Sequence, residues 1–330
     1  MKTAAWLLWK KYDILTASNL LKMKEESLSM KHETFRSVTG AELDKAVWEP
    51  DTAPKAVVQL VHGMCEYIDR YDETAQRLNQ AGYLVVGHTH LGHGEKAEQL
   101  GYFAHENGWD ALIEDVHSVR TQTQKEYPDL PYFLLGHSMG SFVTRTYCLK
   151  HEAGLKGVAL SGTGHFDKLT VGLAKTIASL QCALGMAQKP SRLLEKLSSG
   201  GNNRGYQNVQ TPFDWLSRDR QQVQRYMQDP YCGFTFTASA YRDMFEGLSR
   251  LYPEKLGAMD KQIPILLFAG DMDPVGSHGE GVKLVAEELK AAGVQDITLK
   301  LYEDGRHEMF NELNREQVWT DLIEWLDSKR

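Results

Sequence analysis

The sequence predicts an α/β fold: a mostly parallel central sheet flanked by helices, with a helical cap inserted between two of its strands. Three observations carry this. Short apolar runs alternate with segments of helical periodicity, as expected when strands are buried beneath helices on both faces. One run, Tyr132-Phe133-Leu134-Leu135, leads directly into Gly136-His137-Ser138-Met139-Gly140, which reads as a strand, a sharp turn and a helix start. Finally, about a hundred residues separate the run ending at Ser161 from the one beginning at Ile263, too many for a single crossover connection.

Taken in order, residues 1–29 form an extension outside the core fold. It opens Met1-Lys2-Thr3-Ala4-Ala5-Trp6, and its apolar run is short, stopped by Lys10-Lys11 and without a small-residue cleavage site, so it is not read as a signal peptide. Trp6, Trp9, Ile14 and Leu15 beside lysines allow an interfacial helix, but a poorly ordered extension is the plainer reading. The core then occupies residues 30–163 and 246–330, with the cap at residues 164–245. Residues 32–38 and 42–48 make an opening hairpin around Thr39-Gly40. Strands follow at residues 56–61, 83–87, 132–136, 156–161, 264–269 and 297–302. Within the cap, Leu169, Leu173, Ile177, Leu180 and Leu184 recur at helical spacing, which predicts a helix packed on the core and, as a functional variant, an acyl-chain wall. The stretch Ser198-Ser199-Gly200-Gly201-Asn202-Asn203 reads as a hinge or rim. No segment is read as long and apolar enough to span a bilayer.

The chemistry centres on Ser138. In a nucleophile elbow the serine sits at a strained turn, and the positions two before and two after it tolerate no bulk; Gly136 and Gly140 occupy them. A serine hydroxyl needs a base and a carboxylate to orient that base. The strand at residues 264–269 ends in Gly270-Asp271-Met272-Asp273-Pro274, and Asp273 is preferred over Asp271 because Pro274 forces an extended backbone on the residue before it. The last strand runs into Glu303-Asp304-Gly305-Arg306-His307-Glu308, so His307, 34 residues beyond Asp273, is the base. Its pKa is expected near the ordinary imidazole value of about 6.5. Oxyanion donors would be the backbone N–H of Met139, after the nucleophile, and of Met64 in His62-Gly63-Met64-Cys65-Glu66, where Gly63 lets the chain turn an amide inward.

His88-Thr89-His90-Leu91-Gly92-His93 imitates a zinc motif, but Gly92 stands where an Asp would be required, so the segment reads as a loop held by histidine hydrogen bonds. His105, His117 and His151 read as surface or capping residues. No metal or cofactor is implied. Net charge is −7, from 37 basic and 44 acidic residues, with no concentrated cationic face, which argues against nucleic acid as a partner. The four cysteines are scattered, as suits reduced thiols in a cytoplasm.

Five motifs in order, His62-Gly63-x-x-Glu66 with Arg70-Tyr71, Gly92-His93-Gly94, Gly136-His137-Ser138-Met139-Gly140, Asp273-Pro274-Val275 and Arg306-His307-Glu308, resemble the monoacylglycerol lipase and lysophospholipase branch of the α/β-hydrolases. The resemblance covers roughly residues 30–330. It implies the α/β-hydrolase fold, a triad of Ser138, Asp273 and His307, an oxyanion hole of Met64 and Met139, and hydrolysis of lipid esters bearing one acyl chain. Residues 213–219 and 229–234 resemble segments of bacterial members. Two departures stand out: Cys65 replaces a common glycine, and Thr89 a common Asp. The resulting expectation is a cytoplasmic serine carboxylester hydrolase acting on a small lipid ester through an acyl-enzyme, with transient contact between the cap and a lipid surface and the oligomeric state left open. The alternatives are another serine acyl hydrolase of this fold (short-chain esterase, thioesterase or aminopeptidase) or a non-catalytic binder of lipophilic ligands.

Overall fold

The computed structural model describes residues 30–330; the expectations for residues 1–29 lie outside the described residues. Eight strands form one sheet in the order β1-β2-β4-β3-β5-β6-β7-β8: β1 Met30–Arg36, β2 Glu42–Trp48, β3 Ala56–Val61, β4 Tyr83–His88, β5 Tyr132–His137, β6 Gly157–Ser161, β7 Ile265–Gly270 and β8 Ile297–Tyr302. The first two pair antiparallel with their neighbours and the remaining six are mutually parallel. This is the predicted α/β architecture. β7 begins one residue later than expected because Pro264, lacking an N–H, only accepts, from Val158.

Strand periodicity sorts the core into two layers. Val57, Val61 and Leu134 face one side, with Leu112 of α2 (Gly108–Glu126) and Val143 of α3 (Met139–Cys148). Val58, Leu60, Phe133 and Leu135 face the other, against Leu78 of α1 (Asp72–Gln80) and Trp319, Leu322 and Trp325 of the C-terminal helix Arg315–Lys329. From the central strand β3 the chain goes to β4 on one side and, after it, to β5 on the other. That reversal leaves a crevice at the carboxyl ends of the strands.

Between β6 and β7 lie four helices: α4 (Lys168–Gln181), α5 (Arg192–Ser198), α6 (Arg220–Gln228) and α7 (Ala238–Ser249). Asp167, Ser191, Asp219 and Thr237 cap their N-termini with side-chain acceptors. The helix predicted from the leucine stripe forms, but the stripe does not pack on the core. Leu169, Leu173, Leu180 and Leu184 are exposed, 59–79%, and only Ile177 of the set is half-buried. The buried face is instead Val171 and Ala178, small enough to let α4 lie close along α7. The same stretch corrects a second expectation, since Lys168–Met186, with a mean hydropathy of 1.3, is by length and composition able to cross a membrane.

At the end of β4 the histidines gather into the core. His62, His88, His90 and His93 are all buried, with ring centroids 4.1 Å apart for His62 and His90 and 4.9 Å for His88 and His90. Two rings hold the loop as expected: His62 Nε2 accepts from the His90 N–H at 2.9 Å, and His93 Nε2 from the Cys65 N–H at 3.3 Å. The ring nitrogens of His88 and His90 have no hydrogen-bond partner among the described residues. His117 and His151, expected as surface or capping residues, are half-buried and stack at 4.0 Å, with His117 Nδ1 3.0 Å from the Tyr147 hydroxyl.

Burial drives the pKa of His88 down to about 3 and that of His93 to about 4. The unfolded chain therefore takes up these protons first, so stability is full above the ordinary imidazole pKa and falls as pH drops from about 6.5 towards 4, by about 1.4 kcal/mol per pH unit for each histidine still neutral. Urea unfolding at pH 7.5 and 5.5 should show this loss well above the carboxylate range. His88→Phe, which removes two buried, unpartnered nitrogens, should flatten the slope by about one proton; an unchanged slope would mean that His88 is already protonated in the fold.

Candidate active site

Ser138 stands between β5 and α3 with φ 51° and ψ −121°, strained for a residue with a side chain. Its N–H donates to the Ser161 carbonyl at 2.9 Å, and its carbonyl accepts from the Ser141 hydroxyl at 2.6 Å. The two glycines are required sterically: a Cβ at Gly136 would strike the Gly140 carbonyl, and one at Gly140 the carbonyls of Val61 and His62. The serine therefore rises from the end of β5 directly beside the end of β3.

The other expected residues arrive from the same edge. His307, after β8, places Nε2 2.8 Å from Ser138 Oγ. Its Nδ1 lies 3.0 Å from each carboxylate oxygen of Asp273. Asp273, fully buried after β7, is shaped by its own loop, where the Val275 N–H donates to Oδ1 and the His278 N–H to the main-chain carbonyl. Asp271 makes no contact with the imidazole; its N–H donates back to Tyr302, and its Oδ1 has no partner among the described residues. Burial alone would lower the His307 pKa, but the Asp273 carboxylate, by charge and by hydrogen bond, outweighs it and raises the value above 6.5.

Gly63 touches the site from the other side: a Cβ there would lie 3.2 Å from Ser138 Cβ. The loop after β3 is pinned on both flanks of Met64. The Gly63 N–H donates to Glu66 Oε1 at 2.6 Å and the Cys65 N–H to His93, while Met139 is buried at the first turn of α3.

Motif reading missed how these loops are joined. Glu66 and Glu308, both buried, share one guanidinium: Arg70 forms an ion pair with Glu66 and a two-pronged pair with Glu308, 2.8 Å on each arm. Burial would raise the Glu308 pKa, but Arg70 holds it down to about 2; at Glu66, with a single arm, burial wins and the pKa rises. Tyr226 of α6 lies under the guanidinium at 4.8 Å. Residues 213–217 grip the histidine loop, since the His307 and Glu308 N–H groups donate to the carbonyls of Trp215 and Leu216, and the Trp215 ring lies 4.9 Å from the imidazole. Glu308 stands next to the candidate base, but nothing in sequence said which cation 238 residues away would meet it.

Residues 52–314 match the family described as Hydrolase_4, serine aminopeptidase, S33. The monoacylglycerol lipase of Mycolicibacterium smegmatis is 28% identical over 305 residues, 92% of this chain and 99% of that protein. The monoglyceride lipase of Homo sapiens is 29% identical over 292 residues, 86% of each chain. Among solved structures, a highly thermostable carboxyl esterase from Bacillus coagulans in complex with glycerol aligns with a TM-score of 0.86 at 30% identity, covering 91% of this chain and 99% of that one. A soluble variant of the Saccharomyces cerevisiae monoglyceride lipase shares the fold with a TM-score of 0.71 at 19% identity, over 91% of this chain and 94% of that one. An elbow serine, a histidine and an aspartate meeting at one sheet edge, within a match that spans most of the chain, lead to one conclusion: the chain belongs to the serine aminopeptidase, S33 family of α/β-hydrolases and is a hydrolase.

Proposed function

We propose that this hydrolase is a serine carboxylester hydrolase that cleaves monoacylglycerol or lysophospholipid-type esters through an acyl-enzyme intermediate. The observation that carries the reading is the continuous hydrogen-bonded line from Ser138 Oγ through His307 to Asp273, at 2.8 and 3.0 Å. His307 takes the hydroxyl proton as Oγ attacks the acyl carbonyl. Asp273 fixes the tautomer and stabilises the imidazolium that forms. The N–H groups of Met64 and Met139 receive the oxyanion. The tetrahedral intermediate then collapses, breaking the ester C–O bond, and His307 returns the proton to the departing alcohol. Water, deprotonated by the same imidazole, attacks the acyl-enzyme and releases the acid.

Substrate class rests on the relatives and on the outward face of α4. Residues 164–245 act as the cap over the site. Leu169, Leu173, Leu180 and Leu184 make an apolar surface suited to rest on a lipid aggregate, while Lys168 and Lys175 pair with Glu254 and Glu246 instead of facing lipid alone. All four cysteines are free thiols, which fits the cytoplasm as the proposed location. An aminopeptidase reading, which the family's description raises, predicts turnover of aminoacyl nitroanilides and none of monoacylglycerol.

Ser138→Ala and His307→Ala should each lower ester turnover by several orders of magnitude, with the double variant hardly worse than either. Independent, additive losses would remove the triad. Asp273→Asn should be nearly as damaging and Asp271→Asn mild. Because the base must be neutral, kcat/KM should fall as pH drops through the raised pKa of His307, so the acid limb should have its midpoint above 6.5. A midpoint well below that value would mean that Asp273 is not charged beside the imidazole.

The cap reading predicts that Leu173→Gln combined with Leu180→Gln weakens binding to phospholipid vesicles by at least about threefold, given about 0.8 kcal/mol per methylene withdrawn from lipid. Turnover of a monomeric short-chain ester should stay within about twofold. Equal losses on both substrates would place these leucines in the fold instead of at a lipid surface.

A further inference from the structure

The loop that carries Met64 is held in a conformation it would not choose. Cys65 has φ 57°, the left-handed region that a residue with a side chain enters at a cost of about 1 kcal/mol or more. Three of the hydrogen bonds that hold it there come from residues 226–234, in the chain between β6 and β7. The Cys65 carbonyl accepts from the Tyr226 hydroxyl at 3.0 Å and from the Gly233 N–H at 3.1 Å. The thiol donates to the Phe234 carbonyl at 2.8 Å. Burial pushes the thiol pKa well above its ordinary value, so it remains a donor. Tyr67, two residues on, adds a hydroxyl bond to Asp229 at 2.8 Å.

These bonds act on the peptide planes around Met64. The plane that carries the Met64 N–H is held through the Gly63 carbonyl, 2.8 Å from His62 Nδ1, the plane after Met64 through the Cys65 N–H and His93, and the next through the Cys65 carbonyl and the cap. We propose that Cys65 is a positioning residue through which the cap stretch 226–234 grips the oxyanion loop and aims the Met64 N–H at the acyl oxygen. This rests on the reading of Met64 as an oxyanion donor. It gives the cap a part in the chemical step, separate from any contact with the acyl chain.

The test uses the full chain with a soluble short-chain nitrophenyl ester and, as a mimic of the tetrahedral intermediate, a trifluoromethyl ketone. Losing an oxyanion donor altogether costs about a hundredfold or more, so a donor that is only mis-aimed should cost about tenfold in kcat with KM held within about twofold. That result is expected for Cys65→Gly, which frees the backbone and deletes the thiol, and for Tyr226→Phe, which deletes a single oxygen and spares the fold. Affinity for the ketone should fall by the same factor in both. Cys65→Ser, with a hydroxyl to donate to Phe234, should recover most of the rate lost in Cys65→Gly. Parental kcat in both Cys65→Gly and Tyr226→Phe overturns the proposal, as does a lower kcat with unchanged ketone affinity. Failure of the underlying catalytic reading looks different: full turnover by Ser138→Ala, or a parent protein that a fluorophosphonate does not label.

Discussion

The Arg70 guanidinium, bridging Glu66 and Glu308, is the contact on which the shape of the site depends. Its side chain is only 12% exposed and those of its partners 5% and 7%, so water screens little of the interaction. Burying three charges is costly, and such a bridge adds little net stability over a well-packed apolar cluster; what it adds is a single arrangement. Glu66 turns back to hold Gly63, and Glu308 directly follows His307, so one cation sets the distance between the loop beside Ser138 and the loop that carries His307. Removing it would leave two buried carboxylates facing each other, a loss of about 3–5 kcal/mol by comparison with other broken buried pairs. The two carboxylates of the bridge also act on His307, and both Glu308 and Glu66 add to the rise in its pKa that Asp273 begins.

The sheet makes that bridge possible. β3, β5, β7 and β8 run parallel and end on one edge, so the four segments that follow them, each punctuated by glycine, meet without any long loop having to cross the molecule. Close approach is the recurring demand. Gly270 at the end of β7 abuts Gly305 so tightly that a Cβ would overlap its carbonyl, and this contact lets the His307 loop fold down onto Asp273.

Ser138 and Asp273 could be nominated from the sequence because each follows a strongly apolar strand and stands within two residues of one whose backbone restriction is written in its identity, Gly136 and Gly140 or Pro274, whereas His307 was nominated by its place after the last strand, an exposed edge that carries Thr298 and Lys300. The central strands β3 to β7 were legible for a related reason, since buried parallel strands admit almost no polar residue. The Arg70 bridge was not, because an isolated arginine or glutamate reads as a solvated charge and its partner lay 238 residues away. The direction of α4 was not legible either. Helical spacing reveals a stripe but not which way it faces, and here the narrow seam of Val171 and Ala178 outcompeted the leucines because α7 comes too close to admit larger side chains. The histidine run was misleading in part: of its rings only His93 holds the loop, with His62 from the end of β3, while His88 and His90 are buried among other rings with no hydrogen-bond partner among the described residues.

The outward leucines and the grip on Cys65 belong to the same stretch of chain. A surface helix that keeps four large apolar side chains in water loses burial it could have had, about 1.5–3 kcal/mol for each leucine, and the fold tolerates this only because Val171, Ala178 and the buried face of α7 secure the helix from beneath. The segment from residue 213 to residue 234 is bound far more tightly, through Tyr226, Gly233 and Phe234 to one loop and through residues 213–217 to the other. The insertion between β6 and β7 thus divides into a part fastened to the loops of Cys65 and His307 and a part free to meet another surface. Displacement of α4 by a lipid interface need not disturb the geometry around Ser138, because the contacts that set that geometry do not pass through α4.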